Sequence, residues 1–156
     1  IPFLADAQIT QSEPNTLSAN VKRGGGVVKL SFFGVPKIPL LNPTSIAGEN
    51  HLKIASMIDL AGMKVAVIQA RAEVKDYLDL DAIFERGGVD LATALAAAGA
   101  IYGSAFDAQS TLKALCYFGD GNVHLLPADT RLRLVKAATS VDLAALPRLS
   151  PSQEKV

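Results

Sequence analysis

The spacing of apolar residues changes near residue 55. Before that point Val, Ile, Phe and Thr alternate with polar residues and are interrupted by Pro, Gly and Asn, which is the pattern of strands; after it they recur every three to four positions, the pattern of helices. Thr16 to Lys22 and Val27 to Phe33 flank Arg23-Gly24-Gly25-Gly26, and glycine tolerates the positive φ of a tight turn, so the two runs predict an antiparallel hairpin. In the second run Val28, Leu30 and Phe32 share one face while Val27, Lys29, Ser31 and Phe33 share the other, so both faces are expected to be partly covered. Pro36, Pro39 and Pro43 then impose an extended connection, expected to cross the surface.

From Ser56 the chain reads as helix. Ser56-Met57-Ile58-Asp59 resembles a capping box, and the helix it opens, running to about Arg71, is apolar nearly all round, as a central buried helix is. A second helix beginning near Lys75 places Tyr77, Leu80 and Phe84 on one face and ends at Gly87-Gly88. Asp90 is placed to cap a third helix running to about Tyr102, and Asp107 a fourth ending at Gly119. Pro127-Ala128-Asp129 opens a fifth through Thr139. The expected fold is therefore α+β, a short antiparallel β segment followed by a helical bundle. Residues 1–55 form a β-rich region, 56–150 a helical domain and 151–156 a loose tail.

Composition narrows the classes of function. The chain has 156 residues, 49% hydrophobic and 19% charged, enough apolar surface for one core and too little charge for a disordered chain. Fifteen Lys and Arg balance fifteen Asp and Glu, so no global field draws nucleic acid or an acidic membrane, and any anion site must be local. Cys116 is the one cysteine, and no long uncharged apolar run suggests a membrane span, which fits a reducing, cytoplasmic setting. The chain opens at Ile1 without a signal-peptide pattern, which suggests that the numbering starts inside a longer protein.

The unusual chemistry lies between residues 63 and 79. Lys64 and Arg71 are seven residues apart on the first helix, and Asp76 and Asp79 are neighbours on the next, so a close pairing of the helices would let the charges meet. One reading is a self-neutralising structural ion-pair network. The other is a polyanion site, in which the lysine holds a phosphate while an aspartate orients that lysine or accepts a proton. Elsewhere, His51 and His124 lie far apart without metal-ligand spacing and suit solvent-facing or turn roles. Gly103-Ser104 before Asp107 reads as a helix cap, and Gly24 to Gly26 lacks the Gly-Lys-Ser/Thr of a phosphate loop. Cys116 reads as a small core residue.

The run Ile54-Ala55-Ser56, Asp59-Leu60-Ala61, Met63-Lys64, Arg71, Lys75-Asp76-Tyr77 and Asp79-Leu80 resembles the C-terminal motif region of the AbiEii/AbiGii toxin family of nucleotidyltransferases. Leu112-Lys113-Ala114-Leu115, Tyr117-Phe118, Asp120 and Leu126-Pro127 continue the resemblance. It implies a polymerase-β-like nucleotidyltransferase domain followed by a helical domain, the toxin half of a toxin–antitoxin or phage-defence pair. Such proteins transfer a nucleotide from a nucleoside triphosphate (NTP) with a divalent metal such as Mg2+, some of them to transfer RNA. By that resemblance Lys64 would face the triphosphate and Asp76 would be the late catalytic-site carboxylate, with Arg71, Lys75 and Asp79 supporting nucleotide binding. The implied partners are an NTP, a tRNA acceptor and a cognate antitoxin protein, with no membrane.

Two departures from the family qualify this. Its glycine-rich motif and strand carboxylates have no counterpart here and would lie upstream of Ile1, and Ser31 stands where relatives can carry a third acid. In-line phosphoryl transfer needs metal-held carboxylates, so these residues alone are expected to be inactive. The competing class is a non-catalytic helical module that binds another protein, its internal charges structural.

Overall fold

The computed structural model describes residues 4–34, 38–48 and 51–152. Pro36 and the end of the expected tail, residues 153–156, lie outside the described residues. The chain divides into two compact units, with the boundary between Ile38 and Pro39.

The first unit is a three-stranded antiparallel sheet in the order β1 (Gln8–Glu13), β2 (Thr16–Arg23), β3 (Gly26–Phe33). The expected hairpin forms: Arg23 pairs with Gly26, and Gly24 and Gly25 between them hold φ of +54° and +85°, the two positive values a type I′ turn requires. Ser18 and Ser31 face each other in the register and share a hydrogen bond of 3.0 Å. Burial falls on the central strand at Ser18, Ala19 and Val21. The expected covering of both faces of 27–33 does not occur: Leu30 alone is half-buried, while Val27 and Phe33 are each 64% exposed. That strand lies at an edge of the sheet and pairs on one side only.

The second unit is a short hairpin, β4 (Ser45–Ala47) and β5 (Leu52–Ile54), followed by α1 (Met57–Ala70), α2 (Val74–Arg86), α3 (Leu91–Tyr102), α4 (Ala108–Cys116) and α5 (Ala128–Thr139). The α+β class is as expected. Ser56 Oγ accepts from the Asp59 amide, and Asp90 and Asp107 cap α3 and α4 through the amides of Thr93 and of Gln109 and Ser110. The core gathers Val65 and Ile68 of α1, Tyr77 and Leu80 of α2, Leu95 of α3, Leu115 of α4 and Leu134 of α5.

Three local expectations are corrected. The proline-rich connection does not simply cross the surface: Leu40 is 2% exposed, and the Leu41 and Asn42 amides donate to buried Asp59 at 2.6 and 3.2 Å. The fourth helix stops at Cys116 rather than Gly119, because Tyr117 turns extended (φ −121°, ψ 120°). Cys116 is exposed, since α4 buries Thr111 and Leu115 and the next residue falls about 100° further round the helix. His51 sits in a turn at φ +54° and His124 in a short 3-10 turn, both exposed.

Candidate functional site

Lys64 lies midway along α1, and a three-residue link, Arg71 to Glu73, reverses the chain so that α2 returns alongside. The arrangement follows from local chemistry. Arg71 ends α1 in extended backbone while its amide still donates to Val67 O, and α2 restarts at Val74. Asp76 and Asp79, three residues apart, therefore fall on the face of α2 turned toward α1.

The charges meet as a network. Lys64 Nζ lies 2.9 Å from Asp76 Oδ1 and 2.5 Å from Asp79 Oδ2. Arg71 grips the same Asp76 carboxylate from the other side, Nε to Oδ2 at 2.9 Å and Nη2 to Oδ1 at 3.3 Å. The Asp76 side chain is 0% exposed, against 23% for Lys64 and 47% for Arg71, so a buried anion is held by two cations that reach solvent. Burial would raise the Asp76 carboxyl, but the bonds from Lys64 and Arg71 outweigh it and hold the group below the usual carboxylate range. Partial burial likewise pulls the Lys64 ammonium down, and the bonds to Asp79 and Asp76 more than restore it. Asp76 is thus ionised with both oxygens engaged, the condition of a carboxylate that orients a lysine rather than one that accepts a proton.

Of the five candidate residues the structure unites four. Lys75 points away, exposed and paired with Glu73 at 2.8 Å, while Glu73 also lies 3.6 Å from Arg71. Lys64 and Asp79 line a groove of about 370 Å³ together with Met57, Leu60, Ala82, Ile83 and Arg86. Arg71 lines a more polar groove of about 350 Å³ with Gln69, Tyr117 and Asp120.

Sequence reasoning missed several supporting contacts, all long-range. Gln69 Nε2 donates to Thr111 Oγ1 and to Asp107 O, both at 2.7 Å, and Thr111 returns a bond to Val65 O, tying α1 to α4. Asn122 Oδ1 accepts from the Val74 amide at 2.7 Å. A second ionic cluster joins α2 to α5 through Asp81 and Arg133 (2.6 Å), with Thr130 and Asp129 alongside. The Asp-Gly-Asn turn at 120–122 was the one visible signal, and spacing alone does not say what such a turn touches.

Among the described residues no group of three or more His, Cys, Asp or Glu is placed to hold a metal ion, and no helix is long and apolar enough to cross a membrane. Comparison with protein-family models, with curated proteins and with solved structures matches this chain to none of them.

Proposed function

We propose that this chain carries the helical part of a nucleotidyltransferase of the AbiEii/AbiGii toxin type, in which Lys64 meets the triphosphate of a bound NTP. One observation carries the reading: Lys64 Nζ is held between two carboxylates, 2.9 and 2.5 Å away, on the lining of an open groove. A lysine fixed in this way keeps its charge and a defined position, which suits a point contact to phosphate. Asp76 acts in this reading as the anchor of Lys64, and Arg71 completes the neutralisation of Asp76.

The residues of this cluster do not fit Mg2+. Both oxygens of buried Asp76 are occupied by cations, and Asp79 offers a single further carboxylate. In this reading the metal's ligands come from residues other than these, and the part played by this chain is electrostatic positioning. A tRNA acceptor and an antitoxin partner belong to the same proposal, which places the protein in toxin–antitoxin or phage-defence chemistry.

The test is thermal stabilisation by each of the four common NTPs in the presence of Mg2+. At least one is expected to raise the midpoint, and Lys64→Ala is expected to abolish the rise. An equal rise in Lys64→Ala, or none with any NTP in the parent chain, overturns the reading.

One feature favours the second reading, a protein-binding module. Met57 and Leu60 on α1 and Leu78 on α2 are exposed large apolar residues near the same helix pair. Under that reading the ionic network is purely structural and NTPs leave the midpoint unchanged.

A further inference from the structure

The first turn of α2 lacks a cap of its own. Val74 opens the helix, so its amide has no partner within it, and Glu73 at the capping position makes no side-chain capping bond. Glutamate is a poor N-cap, and this one is turned aside to Lys75 and Arg71. The missing acceptor comes from 48 residues away, where Asn122 Oδ1 takes the Val74 amide at 2.7 Å.

The same turn grips the link a second time. The Asn122 amide donates to Ala72 O at 3.4 Å. Gly121 stands against that carbonyl so closely that a Cβ would lie 2.1 Å from it, and its φ of +52° already disfavours any side chain. Together with the Arg71 amide bond to Val67 O, these contacts pin the link at both ends. The side chain projecting from the pinned segment is Arg71, whose guanidinium meets Asp76 through two hydrogen bonds.

We propose that Asn122, with Gly121, is a positioning residue: the 121–122 turn clamps the Arg71–Glu73 link, sets Arg71 against Asp76 and thereby sets Lys64 at its groove. The clamp rests on the nucleotide reading only for its purpose, since its geometry stands without any ligand. Two residues before Gly121, a Cβ at Gly119 would lie 2.5 Å from Tyr117 Oη.

The experiment follows two NMR signals of the 156-residue chain at neutral pH. The Val74 amide, which a helix's first turn ordinarily leaves open to solvent, is expected to be protected from exchange, and so is the Arg71 Nε–H. In Asn122→Ala both are expected to exchange about tenfold faster, the equivalent of one net hydrogen bond. Asn122→Asp keeps the acceptor and is expected to restore both rates. A merely structural role would lower the midpoint of unfolding in Asn122→Ala and leave the Arg71 signal unmoved, and that result overturns the proposal. An unprotected Val74 amide in the parent chain overturns it as well, so the test survives a variant that fails to fold. NTP binding is measured separately on the same samples: its absence in the parent chain overturns the nucleotide reading and leaves the clamp standing, whereas unmoved exchange rates in Asn122→Ala do the reverse.

Discussion

Lys64 and Asp76 stand 2.9 Å apart across the α1–α2 contact, with the aspartate fully buried and the lysine reaching solvent. The pair is asymmetric. Removing the lysine leaves a buried anion that retains only Arg71, whereas removing the aspartate leaves two cations that rehydrate easily.

That asymmetry predicts the outcome of a double-mutant cycle. Removing one partner of a fully buried pair costs about 3–5 kcal/mol, and the solvent access of Lys64 and Arg71 brings Asp76→Ala down to about 2–3 kcal/mol. Lys64→Ala is expected to cost more, about 3–4 kcal/mol, because Asp76 stays buried with Arg71 as its remaining partner. The double variant is expected to cost less than the sum, giving a coupling of about 1 kcal/mol or more in urea unfolding. Lys75→Ala, in an exposed pair with Glu73, is expected to leave the midpoint unchanged.

The pH dependence follows from the same groups. Asp76 and Asp81 titrate lower in the folded chain than in the unfolded one, through their bonds to Lys64 and Arg71 and to Arg133 respectively, although burial works against the shift. Their stabilisation is therefore complete above the unfolded carboxyl range, about pH 4, and is lost as pH falls below it. Lys64 and buried Tyr77 shift upward, so their stabilisation is complete below about pH 10 and is lost as pH rises further. Unfolding midpoints between pH 2 and 11 are expected to show a plateau with both shoulders. Asp76→Asn is expected to flatten the acid shoulder, and an unchanged shoulder would remove Asp76 as its source.

Much of this architecture was legible because it rests on local rules. The Gly24-Gly25 turn and the caps at Ser56, Asp90 and Asp107 all depend on neighbours within four residues, and each forms as its sequence suggests. The meeting of Lys64 with Asp76 was legible conditionally, because helical spacing placed each charge on a face but could not pair the faces. What escaped was long-range. β1 is a polar strand with no apolar alternation, recruited by the backbone of β2, and Asn122 acts on a segment 48 residues away. Cys116 is exposed although it follows buried Leu115, because a single helical step of about 100° carries it off the buried face.

Gly62 offers a test of packing against propensity. It lies on α1 where α3 crosses, and a Cβ there would stand 2.9 Å from Ala97 Cβ and 3.0 Å from the Ala98 amide nitrogen. Alanine would favour the helix by about 1 kcal/mol, but overpacking against backbone costs about 1–3 kcal/mol. Gly62→Ala is expected to be net destabilising by about 1 kcal/mol in chemical denaturation. A stabilised variant would mean that the two helices separate without penalty.

Asp59 supports the start of α1 in a way its capping-box position does not announce. Its carboxylate is fully buried and accepts from the Leu41 amide at 2.6 Å, the Asn42 amide at 3.2 Å and Ser56 Oγ at 2.5 Å. In an ordinary capping box the acid reaches back to the cap's own amide, and here it reaches instead to the segment that carries buried Leu40. Asp59→Ala takes the acceptor from the Leu41 and Asn42 amides, in hydrogen bonds made by a charged group, so its cost is expected at about 1.5–3 kcal/mol. Ser56→Ala removes the cap and the hydroxyl's bond to Asp59 but leaves the carboxylate on the Leu41 and Asn42 amides, and is expected to cost about 1 kcal/mol. Amide exchange distinguishes the two roles. Asp59→Ala is expected to release the Leu41 and Asn42 amides while those in the middle of α1 stay protected, whereas Ser56→Ala is expected to leave Leu41 protected. Equal protection of Leu41 in both variants would show that the 39–42 segment is held by Leu40 burial alone.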